Sequence, residues 1–236
     1  MKPLGLKSYG SIPHLPESRM GPADHHCHAG QSAIATVKRR GKHDRIIVTE
    51  KLDGTNVAVA RVGDEILALV RSGYLASTSQ YEQHLMFARW VDAQAERFRA
   101  ALSDGERFCG EWLVQAHGTR YQLPHEPFVA FDLMAGPQRH PWDQFLETAR
   151  LCDLMTARVL SDGPSLSVAD ALQSVEVSGH GAVDPVEGAV WRVEHRGAFD
   201  FMVKYVRPDK IDGLYLPEKT GTQAVWNWHP DLQTQN

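Results

Sequence analysis

Three short apolar runs follow one another between residues 46 and 71, and they limit what this chain can fold into more than any other feature. Residues 46–49, 55–62 and 65–71 are each strand-sized and rich in β-branched or long aliphatic side chains. Asp53-Gly54 follows the first run and Gly63-Asp64 the second. β-Branched side chains favour extended backbone, and connections this short join antiparallel neighbours. The pattern predicts an antiparallel meander.

Helical spacing takes over next. Leu85, Phe87, Ala88, Val91, Ala95 and Phe98 recur at roughly three and four residues with Arg and Glu between them, predicting one long amphipathic helix over 81–102 that stops at Asp104-Gly105. Strands are expected at 107–114, 128–134, 188–194 and 200–205, with helices at 31–38, 142–154 and 167–173. Ser167 stands where it can cap the last helix ahead of Asp170. Strands and helices in mixed order with hairpin-length connections predict an α+β fold of antiparallel sheets flanked by helices, not a doubly wound parallel sheet. An irregular lead-in over 1–45, a core over 46–215 and a short tail over 216–236 are the expected divisions.

Composition narrows the class. A chain of 236 residues with 42% hydrophobic and 23% charged content can bury a substantial core. Its longest apolar stretches, such as residues 66–70, are far shorter than a bilayer span, and the N-terminus lacks the apolar centre of a secretory signal, so a cytoplasmic protein that does not enter a membrane is expected. Cys27, Cys109 and Cys152 show no paired spacing and are expected as thiols. A net charge of −4 argues against indiscriminate coating of nucleic acid, while leaving room for a local basic groove from residues 38–42 and 196–210.

Chemistry concentrates at Thr49-Glu50-Lys51-Leu52-Asp53-Gly54-Thr55-Asn56, where a lysine leaves a hydrophobic strand and meets a glycine-containing turn. An amine at a sheet edge becomes a nucleophile once desolvation or a neighbouring cation favours its neutral form. Further along lie Leu69-Val70-Arg71-Ser72-Gly73, Phe108-Cys109-Gly110-Glu111-Trp112, Phe128-Val129-Ala130-Phe131-Asp132, Val186-Glu187-Gly188-Ala189-Val190 and Phe201-Met202-Val203-Lys204-Tyr205.

In that order these segments resemble the motifs of the covalent nucleotidyltransferase superfamily of RNA ligases, DNA ligases and mRNA-capping enzymes, and most closely those of the ATP-dependent RNA ligases. The resemblance implies a nucleotide pocket between the sheets, with Lys51 as the residue that accepts AMP. It implies that Arg71 contacts the nucleotide and the acceptor phosphate, Glu111 the ribose and Phe131 the purine. Glu50 and Asn56 join the nucleotide contacts, Glu187 holds a divalent ion, Mg²⁺ or Mn²⁺, and Lys204 faces the phosphates. ATP is the implied cofactor. The implied substrate is RNA carrying a 5′-phosphate and a 3′-hydroxyl, with DNA as an alternative. A DNA ligase, a GTP-dependent capping enzyme and a non-sealing nucleotide- or RNA-end-binding module are the competing readings.

Two departures stand out. The family's last motif has two lysines separated by one residue, whereas Met202 occupies the first position here and leaves Lys204 alone, with Arg207 and Lys210 as the nearby replacements. Only 31 residues follow Tyr205, too few for the OB-type domain that DNA ligases and capping enzymes carry, so a catalytic domain without that appendage is expected. Grip on nucleic acid is then expected from the core, the N-terminal segment or a protein partner. Asp24-His25-His26-Cys27-His28 offers many metal-ligating groups, but consecutive residues cannot all converge on one tetrahedral ion. A polar loop near the nucleotide and an ordinary surface loop are the two readings kept for it.

Overall fold

The computed structural model describes residues 1–228, and the end of the expected tail lies outside these. Among the described residues the elements are α1 (Ala29–Thr36), β1 (Asp44–Lys51), β2 (Thr55–Val62), β3 (Glu65–Val70), α2 (Glu82–Ala93), α3 (Ala95–Arg99) and β4 (Glu106–Trp112). There follow β5 (Phe128–Ala135), β6 (Gln138–Arg139), α4 (Trp142–Leu151), β7 (Met155–Thr156), β8 (Val159–Gly163), α5 (Val168–Ser174), β9 (Gly188–His195), β10 (Ala198–Val206) and α6 (Pro217–Thr220). The chain divides into two units. Residues 1–10, 55–114 and 126–156 make the first, and residues 11–54, 115–125 and 157–228 belong to the second.

The first unit is built on a sheet of order β3-β2-β4-β5-β6, with β7 added parallel to β5. Of the predicted three-strand meander only the β2–β3 hairpin forms, turning at Gly63 with φ +58°; β1 does not pair with β2 but with β8 and β9 in the second unit's sheet. Phe87, Trp90, Phe98, Trp112 and Phe128 form an aromatic core with ring centroids 5.2 to 6.1 Å apart. The long helix expected over 81–102 is two helices. Gln94, at φ −109° and ψ 11°, leaves helical geometry between α2 and α3. The break turns Phe98 inward, fully buried against Trp90 and Phe108, where a continuous helix would fix its direction by α2 alone.

The second unit carries an antiparallel sheet of order β10-β9-β1-β8. Side chains alternate across a strand. Ile46 and Val48 of β1, Ala189, Trp191 and Val193 of β9, and Phe201, Val203 and Tyr205 of β10 face one way and pack with Ala35 and Ala171 of the helices. Trp191 is fully buried, and its indole N–H donates to the Leu166 carbonyl at 2.9 Å. Thr49, Lys51, Val190, Arg192, Met202 and Lys204 therefore belong to the opposite face. Ser167 caps α5, accepting the Asp170 N–H at 3.1 Å.

The lead-in is more ordered than its sequence suggests. Residues 13–15 run parallel to β10, with the Lys204 N–H donating to the Pro13 carbonyl at 3.0 Å and the Leu15 N–H to the Lys204 carbonyl at 2.8 Å. Residues 25–27 add a second ribbon through His14. The C-terminal part of the β10 edge is covered, and the backbone groups of Lys204 and Val206 are satisfied. Trp226 bridges to Gln115 and the Asn227 side chain accepts the Tyr121 N–H, so this part of the tail braces the 115–121 loop. No helix among the described residues is long and apolar enough to cross a membrane. The three cysteines are free thiols.

Candidate active site

Strand register determines what Lys51 meets. Lys51 is the last residue of β1, and its antiparallel partner on β9 is Gly188. Gly188 sits at φ +156°, and a Cβ there would lie 1.9 Å from the Tyr205 carbonyl oxygen on β10, so only glycine fits between the strands. Glu187 therefore sits just beyond the strand pairing, alongside the end of β1. Its Oε2 lies 2.5 Å from Lys51 Nζ, and both side chains are mostly buried. Burial pushes the Glu187 carboxyl above its ordinary range, against the pull of Lys51.

Asp53, two residues past Lys51, is gripped as firmly. Its Oδ2 accepts from Lys210 Nζ at 2.5 Å and from the Gly118 N–H at 2.9 Å, while its own N–H donates to the Tyr121 hydroxyl at 3.1 Å. Lys204 lies on the same sheet face as Lys51, with Asp24 Oδ1 3.7 Å from its ammonium. Asp24 also approaches His14, whose Nε2 stands 3.2 Å from Oδ2 and whose Nδ1 bonds the Ser18 hydroxyl at 2.7 Å. Burial, joined by the charge of Lys204, pushes the His14 imidazole down to about 4, so it is neutral at pH 7. Burial works against the Asp24 carboxylate, yet the Gly21 N–H, Lys204 and His14 together hold it below its usual range.

Lys51, Glu187 and Lys204 thus fall in the second unit, whereas Asn56, Arg71, Glu111 and Phe131 fall in the first. Within the first unit, Asn56 on β2 pairs directly with Glu111 on β4. The side-chain oxygen of Asn56 is buried and accepts no hydrogen bond among the described residues. Phe131 is the extra residue of a β-bulge, since Cys109 pairs with Asp132 and Gly110 with Ala130. A bulge re-aims the side chain it carries. Half-buried, the Phe131 ring meets Tyr9 edge-on at 5.1 Å. Arg71 is exposed, and its guanidinium donates to the Gly10 carbonyl at 3.4 Å.

The Glu50 carboxylate is engaged within the second unit. It points to the face of β1 opposite Lys51, where the Ser178 hydroxyl donates to it at 2.5 Å and the Gly179 N–H at 2.8 Å. Both nearby cations that stand in for the missing lysine are paired within the protein. Arg207 pairs with Asp209 at 2.7 Å, and Lys210 is bound to Asp53 and to the Thr119 hydroxyl. Instead, the residue facing Met202 in register is Arg192, almost fully buried and paired with Glu194 at 2.9 Å. Among the described residues no group of three His, Cys, Asp or Glu side chains is placed to hold a metal ion.

Family comparison bears on the whole arrangement. The model of the RNA ligase family matches residues 44–206, well over half of the chain. This chain belongs to the RNA ligase family. The β1 lysine, its Glu187 partner and Lys204 all lie inside the matched stretch. Among solved structures, an archaeal ATP-dependent RNA ligase is similar at 21% identity and a TM-score of 0.50, the match covering 83% of this chain and 48% of that one. A mutant RNA ligase of Naegleria gruberi with ATP and Mn is similar at 17% identity and a TM-score of 0.53, covering 83% and 58%. At such identities the likeness is one of fold. The chain spans about half the length of these RNA ligases. No curated protein matches it.

Proposed function

We propose that this RNA ligase family member is an ATP-dependent RNA ligase that works through a covalent Lys51–AMP intermediate. The observation that carries the reading is the 2.5 Å pair of Lys51 and Glu187, placed by the Lys51–Gly188 register within the stretch that matches the family. A lysine held at the end of a strand by one carboxylate is already oriented, and orientation of the attacking atom is a large part of catalysis.

In the first step the neutral Lys51 amine attacks the α-phosphorus of ATP. A nitrogen–phosphorus bond forms, the bond from that phosphorus to the bridging oxygen breaks, and its electron pair departs with pyrophosphate. Two N–H protons leave the original ammonium, one before attack and one after, and pass to solvent. AMP then moves to the 5′-phosphate of an RNA end, and a neighbouring 3′-hydroxyl displaces it to close a phosphodiester.

Lys204 is on the sheet face of Lys51 and supplies positive charge for the phosphates. Arg71, Glu111, Asn56 and Phe131 are assigned to the nucleotide, the unsatisfied Asn56 oxygen being the direct structural support. Hard divalent ions such as Mg²⁺ are commonly held by one or two carboxylates plus substrate phosphates, and one buried carboxylate beside the nucleophile fits that donor set. Glu187 is the side chain that would hold the ion, Mg²⁺ or Mn²⁺, and the ion when bound neutralises phosphate charge. The Naegleria gruberi relative with ATP and Mn supports the same pairing of nucleotide and metal.

The test is end-joining by the full chain with ATP and Mg²⁺, using labelled 5′-phosphorylated RNA and DNA, nicked and single-stranded. Joined RNA in preference to DNA is expected. Joining of DNA alone would move the assignment to a DNA ligase, and incorporation of label from GTP in place of ATP would move it to capping chemistry.

A further inference from the structure

Lys210 lies beyond the stretch that matches the family. It is a buried lysine, and its ammonium reaches the carboxylate of Asp53 and the hydroxyl of Thr119. The space around the contact is tight. A Cβ on Gly118 would stand 2.5 Å from the Ile211 carbonyl oxygen, 2.9 Å from Lys210 Cε and 3.0 Å from Asp53 Oδ2, so the loop can approach only because residue 118 is glycine. Burying an ammonium and a carboxylate is costly unless each is fully partnered, and the Gly118 N–H and Thr119 hydroxyl supply the remaining partners.

The segment bearing Lys210 has a second grip on the site. The Arg207 N–H donates to the Glu187 carbonyl at 3.0 Å, and the Lys210 N–H donates to the Arg207 carbonyl at 3.1 Å. One short turn therefore holds the backbone of Glu187 and the side chain of Asp53. These are the residue that pairs with the nucleophile and the residue that anchors the turn following it. The group holds two carboxylates and two cations, Glu187 paired with Lys51 and Asp53 paired with Lys210. Once Lys51 nitrogen is bonded to phosphorus its positive charge is gone, and Lys210 remains a cation on Asp53.

We infer that Lys210 is a positioning residue for Lys51, holding the Asp53 turn and keeping a positive charge there while the amine is converted to the AMP adduct. The inference rests on the reading that Lys51 attacks ATP. Lys210 acts through Asp53 and does not contact the nucleotide, so its loss should slow the attack and leave ATP binding nearly unchanged.

Single-turnover formation of the AMP adduct by the full chain, over a range of ATP concentrations with Mg²⁺, separates the two effects. Thermal unfolding of each variant is followed in parallel. Lys210→Gln keeps hydrogen bonding without charge and should lower the maximal rate about 30-fold or more, with the half-saturating ATP concentration moving less than about threefold. Lys210→Arg keeps the charge and should retain at least about a tenth of the wild-type rate. A folded Gln variant with the wild-type maximal rate overturns the inference, as does one in which only the half-saturating ATP concentration rises. An Arg variant as slow as the Gln variant also overturns it, because charge at Asp53 then makes no difference. Should Lys210→Gln fail to fold, the Arg variant decides alone: a rate within tenfold of wild type upholds the role, and a larger loss rejects it. Absence of any adduct on the wild-type chain would instead reject the proposed function.

Discussion

Glu187 meets Lys51 because Gly188, its neighbour in sequence, is the strand partner of Lys51 and can lie against the Tyr205 carbonyl. Three strands thus cooperate in one ion pair, with β1 contributing the nucleophile, the residue just before β9 the carboxylate and β10 the backbone oxygen that excludes any side chain at residue 188.

Gly188→Ala should be among the most damaging small substitutions in the second unit. The new Cβ would stand 1.9 Å from the Tyr205 oxygen at a φ of +156°, so β9 and β10 must separate. Loss of several kcal/mol, on the order of 3, is expected in denaturant unfolding, together with loss of adduct formation. An Ala variant with wild-type stability would show that the strands are not as close as described.

Glu50→Gln tests whether the residue preceding the nucleophile serves the loop or the ligand. Removing its charge weakens two charge-assisted hydrogen bonds, from the Ser178 hydroxyl and the Gly179 N–H, which should cost about 1 to 3 kcal/mol of stability. The ATP concentration giving half-maximal adduct formation should change little. A large rise in that concentration at unchanged stability would return Glu50 to the nucleotide.

A pH dependence is built in at His180. The Arg158 N–H donates to His180 Nε2, so neutral His180 carries its proton on Nδ1 and donates to His125 Nε2 at 2.9 Å. Burial, with His125 and Arg158 adding to it, pushes His180 down to about 4. The unfolded chain takes up a proton near pH 6.5 and the folded chain does not until about pH 4. Stability from this group is therefore complete above pH 6.5 and lost as pH falls towards 4, with a slope near 1.4 kcal/mol per unit and a total on the order of 3 kcal/mol. His14, also held at about 4, adds to the same window. In urea unfolding from pH 7 to 4.5, His180→Gln should reduce the slope by about the share of one histidine. An unchanged slope would mean that His180 is not held neutral.

Features with local causes were legible in the sequence. The β2–β3 hairpin follows from alternation and a two-residue turn, the α5 cap from Ser167 standing three residues before Asp170, and the order of the motif segments from the residues themselves. Features made by distant chain segments were not. β8 was missed because its Val-Leu-Ser-Asp-Gly sequence has no apolar alternation and is a strand only through pairing with β1. Gln94 gives no sign that α2 ends there. The partner of Asp53 is 157 residues away, so Lys210 read only as one cation in a basic stretch. The partners of Glu50 are 128 and 129 residues away, on the face of β1 opposite Lys51, and the Phe131 bulge depends on strand pairing that the residues do not announce.

The central claim is that Lys51 becomes covalently bonded to AMP, and intact-mass analysis of the full chain after incubation with ATP and Mg²⁺ tests it most directly. The account predicts a mass increase of one AMP, mapped by peptide sequencing to Lys51, absent from Lys51→Ala and reversed by added pyrophosphate. An unmodified wild-type chain, or an adduct of the same yield in Lys51→Ala, would contradict it.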